Sequence, residues 1–299
     1  MKTSMPGLSR RAVLGALCGS ALLPRFACAE IVVADPPPLL SEDYATARKG
    51  FRTRLTKIGP SPDAPEPLDA PPGAERIAYH SDGLELTAWI SPAQRGQLQP
   101  GLLYLHGGNV LGAGHWDLTL PYRQAGYTVL MPALRGENGQ DGSFSGFYDE
   151  NADVLAAANH LSGLPGVDRD RIFLAGHSIG GTQVLLASMS SAMFRGATSF
   201  SGGSDAWRFF AHFPEMICFD TTDQREFEMR SAVSFAGSFK CPVRLFHGSK
   251  ETRLVPTTQL TVQRARNAGL DVETAVIEGD HFSALREESE RSLGFFSRL

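Results

Sequence analysis

Arg171-Ile172-Phe173-Leu174-Ala175 runs straight into Gly176-His177-Ser178-Ile179-Gly180, and Gly181-Thr182-Gln183-Val184-Leu185-Leu186-Ala187 follows. The apolar run predicts a buried strand, and the stretch from Ile179 onward predicts a helix. Between them the backbone must reverse so sharply that Ser178 takes a strained conformation and its neighbours carry almost no side chain. Gly176 and Gly180 meet that demand. In this context G-x-S-x-G is the turn that lifts a nucleophilic serine to the end of a strand. The alternative is a glycine-rich turn in which Ser178 merely caps a helix.

The same rhythm extends on both sides. Short apolar runs predict strands at residues 75–80, 84–90, 101–105, 128–132, 171–175, 197–200, 243–246 and 272–277, the first two joined by the hairpin signal Ser81-Asp82-Gly83. Helical spacing predicts helices at 118–125, 148–161, 179–193, 257–267 and 283–299. Strands alternating with helices imply an α/β fold: a mostly parallel sheet with helices on both faces and ligands outside the carboxyl ends of the strands. Residues 201–240 break the rhythm. They are rich in aromatics, among them Trp207, Phe210, Phe219 and Phe235, and are too long for a plain crossover, so a small helical excursion before the next strand is expected. It either caps the site and lines a substrate pocket or packs as ordinary core.

Ahead of this lie two other regions. Arg10-Arg11 precede a modest apolar run that is too short to span a bilayer, and Ala27-Cys28-Ala29 offers small residues for cleavage. Residues 1–29 therefore read as a Tat-like export signal addressed to the Tat or Sec machinery, giving a periplasmic or secreted product without a stable membrane anchor. Residues 30–72 form a Pro-rich arm with one helix, expected to start at Ser41-Glu42-Asp43-Tyr44 and to run to Arg54, with Tyr44, Ala47, Phe51 and Leu55 at helical spacing. The catalytic domain would occupy residues 73–299. Cleavage would leave Cys218 and Cys241, either as a disulfide worth about 3 kcal/mol or as two buried thiols.

The whole chain of 299 residues is 42% hydrophobic, enough for one large domain, and carries a formal net charge of -4. Its basic residues are scattered, so no nucleic-acid surface is indicated. No Cys/His cluster at zinc spacing, phosphate loop or dinucleotide fingerprint is present, so neither a metal nor a cofactor is expected.

A serine hydroxyl is a weak nucleophile until a base takes its proton, and the base needs a carboxylate to fix its tautomer. His281, on the loop after the last strand, is the candidate base. His106, His177 and His247 also end strands, but in tight turns that suit packed or hydrogen-bonding roles. For the acid, Glu251 follows the preceding strand in His247-Gly248-Ser249-Lys250-Glu251; Asp205 is the second candidate, and Asp280 adjoins the base and would have to point away from it. The oxyanion needs two fixed donors. One is the N–H of Ile179. The other is expected in His106-Gly107-Gly108-Asn109, with Gly108 first and Asn109 second, unless that stretch is only a tight turn.

Five ordered stretches, Tyr104-Leu105-His106-Gly107-Gly108, Ala133-Leu134-Arg135-Gly136-Glu137-Asn138-Gly139, Gly176-His177-Ser178-Ile179-Gly180-Gly181, His247-Gly248-Ser249-Lys250-Glu251 and Gly279-Asp280-His281-Phe282, together resemble the α/β-hydrolase superfamily. They are most similar to the branch of dienelactone hydrolases and prolyl oligopeptidase-like catalytic domains. The resemblance covers residues 73–299 and implies Ser178 as nucleophile, His281 as base, Glu251 as acid, and Ile179 with Gly108 as oxyanion donors. The acid position is usually Asp in that branch, and Glu251 is one methylene longer. No propeller precedes the domain in these residues, so carboxylic esters are the expected substrates and short peptides or amides the alternative. A non-catalytic binding protein on the same fold is the reading from another class.

Overall fold

In the computed structural model, which describes residues 33–92 and 98–299, the apolar runs assemble into one eight-stranded sheet. The strands are β1 (Glu75–Ser81), β2 (Leu84–Ile90), β3 (Gln99–Leu105), β4 (Thr128–Pro132), β5 (Val167–His177), β6 (Gly196–Phe200), β7 (Val243–Gly248) and β8 (Val272–Ile277), in the order β1-β2-β4-β3-β5-β6-β7-β8. The β1–β2 and β2–β4 pairings are antiparallel and the rest are parallel. The sheet and its helices form an α/β-hydrolase fold, as the sequence predicts.

The central strands read as unbroken apolar runs because helices cover both faces. Leu103, Leu105, Leu130, Ile172, Leu174, Val243 and Leu245 enter one core, while their neighbours Leu102, Tyr104, Val129, Met131, Phe173, Ala175 and Phe246 enter the other. In chain order the helices are α1 (Tyr44–Gly50), α2 (Ala113–Asp117), α3 (Leu120–Gln124), α4 (Glu150–Ser162), α5 (Ile179–Ser190), α6 (Ala206–His212), α7 (Gln224–Glu228), α8 (Val255–Asn267) and α9 (Leu285–Phe296). From β3 the chain steps one way along the sheet to β4 and then returns past β3 to β5. The loops after β3 and β5 therefore diverge, which opens the crevice where ligands of such sheets bind.

One expectation is corrected and one alternative is decided. The helix predicted for 118–125 is α3, with Pro121 in its first turn, and the unpredicted short helix α2 precedes it. The arm helix ends at Gly50 rather than Arg54: Phe51 is extended, and Arg54 and Leu55 pair in extended form with Asp220 and Phe219. Tertiary hydrogen bonds there outweigh the helical spacing. In residues 201–240 the aromatics pack as core: Trp207, Phe210, Phe219, Phe227 and Phe235 are buried against one another and against Tyr44 and Phe147. Only Phe213 of these aromatics is exposed, so they do not line a pocket. Cys218 and Cys241 are free thiols, both pushed up to about 12 by burial. The export segment lies outside the described residues, among which no helix is long and apolar enough to cross a membrane.

Candidate active site

The turn after β5 is forced by close backbone contact. A Cβ at Gly180 would stand 2.2 Å from the Leu105 carbonyl oxygen, and one at Gly176 would stand 2.7 Å from that of Gly180. Neither distance is open to any side chain, so the elbow can lie directly on the end of β3 only with glycine at both positions. Ser178 is held at φ 56°, ψ −117°, a strained conformation for a non-glycine residue, with its N–H donating to the Phe200 carbonyl at 2.8 Å. The serine itself stays partly exposed.

His281 and Glu251 come together from the loops after β8 and β7. His281 Nδ1 lies 2.6 Å from Glu251 Oε1. The other carboxylate oxygen accepts the Gly248 N–H at 2.7 Å and the Ser201 hydroxyl at 2.5 Å. Burial pushes the Glu251 carboxyl upward, but the hydrogen bonds from His281, Ser201 and Gly248 outweigh it and hold the group below its ordinary value. Glu251 is thus an anion at neutral pH, and an anion accepting from Nδ1–H leaves Nε2 of a neutral His281 with its lone pair. Neither Ser178 Oγ nor His281 Nε2 has a hydrogen-bond partner among the described residues. Such contacts commonly tighten only when substrate arrives.

Asp205 goes elsewhere. Its side chain caps α6 through the Arg208 N–H at 3.3 Å and pairs with the Arg208 guanidinium. Asp280 also points away from His281. It accepts from Ser283 and from the Phe282 N–H, which together hold its carboxyl at about 2.

The loop after β3 closes the other side. A Cβ on Gly107 would lie 3.4 Å from the Ser178 Cβ, so this glycine faces Ser178. Gly108 has a φ of 71°, and no acceptor takes its N–H among the described residues. The second candidate donor, the Asn109 N–H, is already given to Asp63 Oδ2 at 2.8 Å. The N–H of Ile179, first in α5, is one of the donors a helix start leaves without an intrahelical partner.

Several supporting residues carried no signal in the sequence beyond their loop positions. His177 is buried, sits 4.5 Å ring to ring from His281, and places Nε2 2.8 Å from the His281 carbonyl oxygen. Burial, then the neighbouring His281, pushes its imidazole down to about 4, so a neutral His177 donates Nε2–H and ties the base's loop to the elbow. His106 has its two ring nitrogens against the Gly107 carbonyl and the Glu137 carboxylate, both at 3.1 Å. Both partners can accept, which favours the charged form of the ring. Burial opposes that charge, but Glu137 overcomes it and raises the group. Arg135 grips Asp153 with two nitrogens, at 2.9 and 2.7 Å, and Asn138 binds the backbone of Leu111. The stretch from Ala133 to Gly139 is therefore scaffold beneath the glycine loop. The Pro-rich segment at 59–72 is stitched across that loop through Ser61, Asp63 and Glu66.

Residues 115–298 match the sequence model of the prolyl oligopeptidase family, a span that includes Ser178, Glu251 and His281 and omits the glycine loop at 107–108. An uncharacterized peptidase of Bacillus subtilis (strain 168), YtmA, is 25% identical over 210 residues, covering 66% of this chain and 81% of that protein. A puromycin-hydrolyzing peptidase of Mycobacterium tuberculosis superposes with a TM-score of 0.67 at 22% identity; the match covers 81% of this chain and 46% of that chain, which this chain therefore spans for less than half its length. A candidate dienelactone hydrolase of Klebsiella pneumoniae superposes with a TM-score of 0.57 at 19% identity, over 76% of this chain and 98% of that one.

Proposed function

The chain belongs to the prolyl oligopeptidase family of serine hydrolases, and from that premise we propose that it cleaves short peptides and aminoacyl amides through an acyl-Ser178 intermediate. The observation that carries this is the contact between Glu251 and His281, on loops adjoining the elbow that strains Ser178. Ser178 Oγ attacks the substrate carbonyl carbon as His281 Nε2 takes its proton. Negative charge gathers on the carbonyl oxygen, where the N–H groups of Ile179 and Gly108 receive it. Glu251 stabilises the imidazolium. His281 then passes the proton to the leaving nitrogen as the carbon–nitrogen bond breaks, and water activated by the same imidazole releases the acyl group.

The names of the relatives favour amide substrates. A second reading, carboxylic esters, is favoured by the match along 98% of the candidate dienelactone hydrolase. Relative turnover of aminoacyl amides and p-nitrophenyl esters separates the two. A fluorophosphonate probe should label Ser178 in the wild type and not in Ser178→Ala, whose kcat should fall on the order of 10⁶-fold. A folded wild type left unlabelled would sink the hydrolase reading. The same proposal takes the chain to be exported, on the strength of Arg10-Arg11 and Ala27-Cys28-Ala29; an extracytoplasmic form still beginning at Met1 would overturn the cleavage.

A further inference from the structure

Phe282, next in sequence to the base, is the most exposed large aromatic side chain among the described residues, at 71% of its free surface. A single exposed apolar residue needs no explanation in itself, but three features set this one apart. Its ring lies 5.0 Å from the His281 ring, edge to face, and 5.6 Å from that of the buried His177, so the three rings pack as one cluster with Phe282 on its exposed side. The backbone beneath it is fixed: Asp280 Oδ1 accepts the Phe282 and Ser283 N–H groups at 3.2 and 3.0 Å, and the Ser283 hydroxyl donates to the same oxygen at 2.8 Å. The loop is also pinned to the one after β7, with Lys250 N–H donating to the Gly279 carbonyl at 3.0 Å and Ser249 N–H to that of Ile277 at 2.7 Å. Finally, Gly279 has a φ of 140°, and a Cβ there would meet the Ser283 hydroxyl at 2.8 Å, so the turn is built tightly around this conformation.

Position then decides what the ring touches. In acyl transfer the base returns its proton to the departing atom, so the leaving group must hang beside His281 within hydrogen-bond reach of Nε2. The acyl side extends from the opposite bond of the same carbon. With its centroid 5.0 Å from the imidazole, the exposed Phe282 ring offers an apolar surface beside that proton donor.

We propose that Phe282, packed on the His177 and His281 rings, is a specificity-determining residue that selects leaving groups with an aromatic or bulky apolar substituent; in a peptide, this is the residue on the carboxyl side of the cleaved bond. The inference rests on the hydrolase reading above and assigns its leaving-group side. Phe282 takes no part in bond making or proton transfer.

The test compares two substrates with one acyl group and different leaving amines, phenylalaninamide and glycinamide, on wild type, Phe282→Ala and Phe282→Trp. An aromatic pair of this kind is worth about tenfold in kcat/KM. The wild type should favour phenylalaninamide by that order, Phe282→Ala should lose the preference, and Phe282→Trp should keep it. Deacylation, followed after a burst from an ester of the same acyl group, should be the same in all three, because the leaving group has gone by then. A wild type without the preference, or a Phe282→Ala protein that keeps it or slows both substrates equally, would overturn the proposal. Fluorophosphonate labelling separates the two failures: Ser178 labelled with the preference unchanged removes only this inference, whereas Ser178 unlabelled in folded wild type removes the hydrolase reading as well.

Discussion

The carboxyl ends of β5, β7 and β8 and the seam where the arm meets residues 201–240 both gather charged groups, yet they are built in opposite ways. At the strand ends the charges stay partly exposed, Ser178 and His281 keep atoms free, and the geometry is set by glycines and main-chain hydrogen bonds. In the seam the central buried pair, Arg230 and Glu226, is fully engaged. Arg230, buried, donates to Glu226 at 2.5 Å, to Thr53 at 2.7 Å and to the carbonyls of Ser145 and Gly146 at 2.6 and 2.8 Å, and it stacks on Phe219. Glu226 in turn accepts from Thr53 and from the Arg54 N–H. A site that must react leaves its polar groups with bonds still to make. A pair that must hold two segments together leaves no charge stranded, because a buried unpaired charge costs more than a pair contributes.

Activity should therefore separate from stability when either region is cut. The largest effect is expected from Glu251→Gln, which keeps the shape but removes the anion opposite His281. Its kcat/KM should fall by roughly 10⁴, while Asp205→Asn should stay within a few-fold of wild type. Steady-state kinetics on one substrate decides it, and equal losses in the two variants would break the contrast. Next is Arg230→Met, which strands the Glu226 carboxylate in the seam and should cost about 3–5 kcal/mol by denaturant unfolding. Its folded fraction should still label at Ser178 at the wild-type rate. Adding Glu226→Gln should restore part of the loss, since the stranded charge goes with it.

The smallest effect sits on α9, within reach of the Glu251 charge. Glu288 on α9 is fully buried, neither of its carboxylate oxygens has a partner among the described residues, and burial, then the Glu251 charge, pushes it up to about 8. The folded protein keeps this proton while an unfolded glutamate releases it near its ordinary value. Between those two pH values the unfolded state binds fewer protons, so stability falls as pH rises through the window and levels off above about 8. Glu288→Gln should flatten that decline, seen as a Tm advantage over wild type that grows from pH 5 to pH 8. A constant difference would mean that Glu288 is ionised in the folded protein.

The legibility of the two regions differs for the same reason. Gly176, Gly180 and the strand-to-helix switch around Ser178 could be read directly, because a backbone that approaches within 3 Å of another leaves one residue type possible. Glu251 could be chosen over Asp205 only by its place on the loop after the strand that precedes β8; the contact itself also involves Ser201, which sits at a positive φ at the end of β6 and has no local sequence signal. His177 was legible as a hydrogen-bonding turn residue but not as the tie to His281. In the seam the helical spacing of Tyr44, Ala47, Phe51 and Leu55 misled, since residues 53–55 find better partners in Glu226, Asp220 and Phe219 across more than 160 positions of chain. The aromatics at 201–240 likewise suited a pocket or a core equally well in one dimension.

By itself the sequence determined the α/β layering, the strained turn at Ser178 and the order of loops that offer an acid and a base, because each of these is dictated by local periodicity or by a backbone position that excludes other residues. Only the tertiary structure decided which carboxylate faces His281, where the aromatics of residues 201–240 are spent, and that Phe282 stands uncovered beside the base. Those outcomes depend on contacts between residues far apart in the chain, whose energies no short stretch of sequence contains.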